Sequence, residues 1–198
     1  MNYKAAWLVL WLLWTPLLLA QGQPEGNAET PAVTEAPPGG DFALHSSKGV
    51  FALKDYRGKV VLLYFGYTQC PDVCPTSLSY LAQAFNELDE KELEKVVGVF
   101  VSVDPKRDTP ELLDEYVDYF HPNFMGVTGG EKELADAAAR YGAQYYEVEL
   151  EGSAFGYAVN HSAATYLIAP NGELRFIFPH GTSPVVISEA IRYVLEGN

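Results

Sequence analysis

Lys59 to Leu78 reads KVVLLYFGYTQCPDVCPTSL. The first seven residues form a continuous, partly β-branched apolar run that stops at Gly66, the signature of a strand buried on both faces. Cys70 and Cys74, the only cysteines in the chain, follow at once, each with a proline behind it. Leu78, Leu81, Ala82, Phe85 and Leu88 then recur at helical spacing and predict an amphipathic helix from Pro75 to Asp89. Pro75 suits the first helical position and pushes its predecessor away from helical dihedrals, so Cys74 is expected as the N-cap. Strand, cysteine loop, helix: the thiols sit at the carboxyl end of a central strand, where α/β sheets carry their sites.

The same strand-and-helix reading extends in both directions. VVGVFVSV (Val96 to Val103) is a second buried strand, and TPELLDEYVDYF (Thr109 to Phe120) opens with the Thr-Pro-Glu start signal of a helix. EKELADAAARYG is a further helix that Gly142 stops. AATYLIAP and ELRFIFP flank Asn171-Gly172 and predict a hairpin with a two-residue turn. SPVVISEAIRYVLEG is a C-terminal helix with Ser183 as cap and Pro184 first, and FALHSSKGVFAL predicts a small hairpin near the front of the domain. The expected fold is α/β and thioredoxin-like: a mixed, mostly parallel central sheet, helices on both faces, and an extra N-terminal hairpin.

The chain begins MNYKAAWLVLWLLWTPLLLAQGQ, with no charge between Lys4 and Glu25. Residues 1–20 fit a membrane anchor, being near the length of one span and rich in Trp, or a cleaved export signal. With no cysteine near Ala20, a lipid anchor is excluded. Residues 21–40 contain no aromatic or basic residue and abound in Pro and Gly, so they are expected to be a flexible tether. Residues 41–198 are then one exported domain, in a compartment that permits disulfides. The net charge of −13 argues against nucleic acid and anionic lipid surfaces as partners.

A helix N-terminus stabilises thiolate, so both sulfurs belong in a reactive or metal-binding environment. Three readings compete. A structural disulfide closing so short a loop restrains the unfolded chain little. A redox pair is stronger, although the spacing is one residue longer than C-x-x-C. A metal clamp needs a further ligand, and His161 in AVNHSAATYLIAP, just ahead of a buried strand, can reach the cysteine loop. A histidine in that place is commonly a surface residue; beside two thiols in this order of elements it reads as a ligand. Two thiolates and an imidazole suit copper or zinc, and structural zinc normally takes four protein ligands, which favours copper. In VDPKRDTP, Asp108 or Thr109 reads as the cap of the next helix. Asp104 and Arg107 read as a docking surface or turn, with Asp104 open as a weak oxygen ligand. Asp72 is a cap or contact residue, Met125 and His121 packing or surface residues, and His45 and His180 have no supporting pattern.

GYTQCPDVCPTSL, VSVDPKRDTPELL and VNHSAATYLIAPNGELRF together resemble the Sco/SenC family of copper chaperones, in family order and across nearly all of residues 41–198. The resemblance implies a membrane-anchored thioredoxin-like domain on the outer, periplasmic-type face of the inner membrane, with Cys70, Cys74 and His161 as copper ligands. It also implies a role in building the dinuclear copper site of cytochrome c oxidase. Its partners would be the oxidase subunit bearing that site, other copper chaperones and thiol reductants. The family commonly has Asp before the ligand histidine, where this chain has Asn160, and often His before the first cysteine, where this chain has Gln69. Two functions fit the same sulfurs: a copper metallochaperone, or a thiol–disulfide oxidoreductase that reduces the acceptor's cysteines. A peroxidase is disfavoured because no Arg lies near Cys70 in sequence.

Overall fold

The computed structural model describes residues 36–153 and 156–197. Among these residues nine strands and five α-helices follow in the order β1 (Ala43–Ser46), β2 (Gly49–Ala52), β3 (Val60–Gly66), α1 (Val73–Asn86), α2 (Glu90–Leu93), β4 (Val96–Ser102), α3 (Pro110–Asp118), β5 (Phe124–Val127), α4 (Glu131–Arg140), β6 (Tyr145–Glu149), β7 (Tyr157–His161), β8 (Thr165–Ile168), β9 (Leu174–Phe178) and α5 (Pro184–Leu195). The central sheet has the order β5-β4-β3-β8-β9. β3 pairs in parallel with β4, and β4 with β5, while β8 and β9 add the antiparallel side. This mixed sheet carries helices on both faces, and β1 and β2 form the extra hairpin in front of it.

β3 and β4 are buried at every position, which is why neither sequence alternates. On one face Tyr64 stacks on Phe100, and Phe100 meets Tyr116 of α3. On the other, Phe65 and Tyr166 pack against Tyr141, just beyond α4. α1 buries Cys74, Ser77, Leu78, Leu81, Ala82, Ala84 and Phe85, and α5 lies against it. The apolar spacing read from the sequence is this buried stripe.

Three local expectations change. α1 begins two residues before Pro75, with Asp72 at the N-cap position, so Cys74 lies inside the first turn rather than capping it. The first-turn N–H groups have no intrahelical acceptor, so a proline there forfeits no hydrogen bond and does not fix the helix start. The turn between β8 and β9 is also longer than two residues. Gly172 N–H bonds to Ala169 O and Ala169 N–H to Glu173 O, with a register shift at Leu167/Ile168. A two-residue Asn-Gly turn would need the residue before Asn171 to exchange two backbone bonds and Asn171 to take a positive φ. Pro170 has no N–H to give, and only Gly172 has a positive φ here, +92°. Finally, β6 and β7 form a separate antiparallel pair that the sequence did not announce, because nearly every side chain of β6 is exposed and no buried face imposes a pattern.

Residues 1–20, read as anchor or signal, and residues 21–35 of the expected tether lie outside the described residues. Among the described residues no helix is long and apolar enough to cross a membrane. The last residues of the expected tether pack on the domain: Gly39 N–H donates to Arg140 O, and Tyr141 Oη donates to Gly40 O.

Candidate metal and redox centre

β3 ends at Gly66, whose glycine identity the site requires. A Cβ at that position would lie 2.7 Å from Cys74 Sγ and 2.9 Å from Phe100, closer than real Cβ atoms approach other heavy atoms. The chain then turns through Tyr67 to Cys70, with Cys70 N–H bonded to Tyr67 O, and enters α1. From the other direction β7 delivers His161 at its last residue.

The two sulfurs and one imidazole nitrogen lie within 4.8 Å of one another. His161 Nε2 is 3.2 Å from Cys74 Sγ, and its Nδ1 is 3.2 Å from Ser162 O. A proton on Nδ1 donated to that carbonyl leaves the Nε2 lone pair facing the sulfurs, the tautomer a metal ligand needs. Tyr64 and Tyr67 meet the His161 ring edge-on, at 6.1 and 5.8 Å between centroids, and hold it in place. Both cysteines are unbonded and buried.

The thiols are not equivalent. Cys70 is held far below its ordinary value, at about 3, chiefly by a hydrogen bond from Cys74. In the metal-free site His161 adds to this when its Nε2 carries the proton, as do the N–H groups of Asp72 and Cys74 at the start of α1, while burial opposes it. Cys74 is pushed up, first by burial and then by the hydrogen bond to Cys70. Cys70 is therefore the thiolate and Cys74 the proton carrier. The sequence argument about the helix terminus anticipated an activated sulfur. It did not anticipate that only one would be activated, because burial is a property of the packed chain.

Two soft sulfur donors and one borderline nitrogen donor converge on a common point, and among the described residues no carboxylate joins them. The donor set fits a metal that accepts two or three soft ligands and is one short for structural zinc. Asp104, left open as an oxygen ligand or docking residue, does neither. It is 2% exposed, accepts from Arg107 Nε at 2.5 Å and from Tyr157 Oη at 2.7 Å, and stays outside the cluster.

Asp108 is not a cap. Thr109 caps α3, its side chain accepting from Leu112 N–H, whereas the Asp108 carboxylate is buried and accepts from Thr68 and Ser102. Asp72 occupies the N-cap position of α1 with no side-chain capping bond.

The remaining histidines lie elsewhere. His121 is buried edge-on against Phe85 with its pKa lowered by burial, His45 faces Glu133, and His180 Nδ1 lies 3.0 Å from Ser77 Oγ. Met125 accepts from Tyr56 Oη. The sequence reading missed Tyr64, Tyr67 and Tyr157, whose proximity depends on strand register. A cleft of about 120 Å³ lies between Gln69 and Pro71, the neighbours of Cys70, and Tyr157 and Ala158 of β7.

The family model for SCO1/SenC matches residues 31–196. The chain belongs to the SCO1/SenC family. It is 38% identical over 155 residues to the SCO2-like protein of Rickettsia conorii, covering 78% of this chain and 75% of that one. It is 37% identical over 182 residues to the mitochondrial SCO2 homolog of Homo sapiens, covering 90% and 68%. Among solved structures, Arabidopsis thaliana ScoI with copper bound superposes with a TM-score of 0.74 at 35% identity, covering 81% of this chain and 99% of that one. The thioredoxin-like architecture read from the element order is thus shared with solved Sco proteins. Of the two positions where this SCO1/SenC chain departs from the expected pattern, Asn160 donates to Tyr146 Oη at 2.7 Å and Gln69 is exposed.

Proposed function

We propose that this chain is a copper metallochaperone that carries its cargo between Cys70, Cys74 and His161 and assists assembly of the dinuclear copper site of cytochrome c oxidase. The observation that carries the reading is the convergence of two sulfurs and an imidazole from separate elements within 4.8 Å. Three donors of this softness satisfy Cu(I), and Cu(II) is accommodated with added oxygen or nitrogen ligands. A transient carrier must release what it binds, and a three-donor site at the end of a sheet leaves an open position for an acceptor's ligand. The solved relatives with copper bound support the choice of metal. The apolar run of residues 1–20 supports a membrane anchor with a Pro/Gly-rich tether behind it, and on this reading the domain, residues 41–198, stands on the outer face of the inner membrane.

The test is His161→Ala. Loss of one of three donors weakens copper binding by at least the roughly 10–100-fold that follows loss of outer-shell support alone, with Cu(II) affected more than Cu(I). The substituted protein still closes and opens a Cys70–Cys74 disulfide. Copper affinity equal to that of the unsubstituted domain would remove His161 from the site.

A second reading rests on the inequality of the thiols. The Cys70 thiolate attacks a partner disulfide and releases one partner thiolate. Cys74, having lost its proton, then displaces the second, leaving a Cys70–Cys74 disulfide and a reduced partner. This thiol–disulfide oxidoreductase activity uses the same sulfurs and excludes copper while they are bonded. In cells, normal oxidase assembly with His161→Ala and none with Cys70→Ser would make the thiol reaction the essential one.

A further inference from the structure

The loop from Val103 to Thr109 supplies none of the three donor atoms, yet both halves of the site hang from it. Asp108 is 1% exposed, and its carboxylate accepts from Thr68 N–H at 2.9 Å, Thr68 Oγ1 at 2.5 Å and Ser102 Oγ at 2.6 Å. Thr68 stands two residues before Cys70, so Asp108 fixes the turn that carries the sulfurs. Hydrogen bonds to an ionised carboxylate are about twice as strong as neutral ones, and burial makes each costly to lose.

The second arm runs the other way. Asp104, tied to Ser102 Oγ through its own N–H at 3.1 Å, accepts from Arg107 Nε and from Tyr157 Oη. Arg107 Nη1 donates to Tyr157 O at 3.0 Å, and the guanidinium carbon lies 3.7 Å over the Tyr157 ring and 5.6 Å from the Tyr67 ring. Tyr157 opens β7, and His161 closes it on the same face of the strand, where Tyr67 meets its ring. The arms meet at the fully buried Ser102 at the end of β4.

We propose that these are two separable positioning devices: Asp108 sets the sulfur pair, and the Asp104–Arg107–Tyr157 latch sets the imidazole. One short loop then ties the two halves to each other, alongside the direct contact that Tyr64 of β3 makes with the His161 ring. With Asp108 in place the cysteine loop is held with its sulfurs unbonded. Loosening it lowers the cost of bringing them to disulfide distance.

The experiment is a double dissociation on the reduced, metal-free domain, so it does not depend on copper being the cargo. Asp108→Asn shifts the dithiol–disulfide equilibrium against glutathione toward the disulfide by at least tenfold, about 30 mV, and leaves the His161 ring NMR signals in place. Tyr157→Phe moves the His161 signals and leaves that equilibrium within about twofold. Thr68→Val removes one donor from the other side of the Asp108 clasp and shifts the equilibrium in the same direction as Asp108→Asn. It serves in its place if the buried Asn prevents folding. Variants that move both readouts together, an equilibrium changed less than twofold or shifted toward the dithiol, or unmoved His161 signals in Tyr157→Phe overturn the assignment. The copper reading fails separately: if His161→Ala leaves copper affinity unchanged, that proposal falls, and the two metal-free readouts still decide this one.

Discussion

Cys70 and Cys74 share one proton, and the sharing has a sign. With Cys70 held at about 3, the folded pair keeps the single Cys74 proton from mildly acidic to alkaline pH, while an unfolded pair keeps two below about 8.5 and none well above it. The Cys70 contribution to stability is therefore full above the unfolded value and fades as pH falls toward 3. The Cys74 contribution is full below the unfolded value and fades as pH rises above it. Reactivity follows the thiolate. Alkylation of an ordinary thiol slows tenfold per pH unit below about 8, because the thiolate fraction falls that fast. Cys70 in the reduced domain is expected to alkylate at a nearly constant rate from pH 8 down to about 4. Mass-spectrometric site assignment across that range checks it, and a tenfold loss per unit between pH 7 and 5 would contradict it. The identity of the three donors was legible in the sequence, because few residue types hold soft metals and this chain has only two cysteines and four histidines. The inequality of the sulfurs was not, since it follows from which one the helix buries.

The helix starts show where element-level chemistry can be read and where it cannot. Thr109-Pro110 and Ser183-Pro184 place cap and first residue where the sequence puts them. Cys74-Pro75 does not, because proline is equally at home anywhere in the first turn. Asp108 looks like a cap because aspartate caps helices well. The fold gives that role to its neighbour Thr109, which the sequence offered equally, and leaves Asp108 to the cysteine loop. The β6–β7 arm and the β8–β9 turn escaped for related reasons: the one has no buried face to give it a period, the other has a proline where a tight turn needs an N–H. These roles predict unlike effects from adjacent substitutions. Thr109→Ala should lower unfolding free energy by about 1 kcal/mol, as lost N-caps do, and leave the dithiol–disulfide equilibrium unmoved. Urea unfolding and a glutathione titration read the two quantities. A redox shift in Thr109→Ala equal to that of Asp108→Asn would mean the start of α3, not the carboxylate, holds the loop.

For the molecule, the open question of physical interest is where the independently folding unit begins. Composition puts the boundary at Asp41, because residues 21–40 lack the apolar side chains that make a core. The packed chain begins earlier, and it does so through backbone groups that composition does not report. Gly39 is buried and its N–H donates to Arg140 O at the end of α4, while Gly40 O accepts from Tyr141 Oη at 2.9 Å. Tyr141 is 1% exposed and packs against Phe42, Phe65 and Tyr166, so its hydroxyl sits where a lost acceptor is costly. Leaving a buried polar group unpaired costs about 1–3 kcal/mol, and each kcal/mol moves the midpoint of a domain this size by roughly 2–4 °C. A chain starting at Ala36 should therefore unfold cooperatively. One starting at Asp41 should melt at least about 2 °C lower while keeping the cysteine–histidine cluster. Tyr141→Phe in the Ala36 chain removes the hydroxyl and its need for a partner together. Shortening that variant to Asp41 should then cost less than shortening the unsubstituted chain. Calorimetry on the four proteins measures the coupling directly. Equal losses with and without the hydroxyl would show that the Gly40–Tyr141 bond contributes nothing, and no loss in either chain would put the boundary at Asp41.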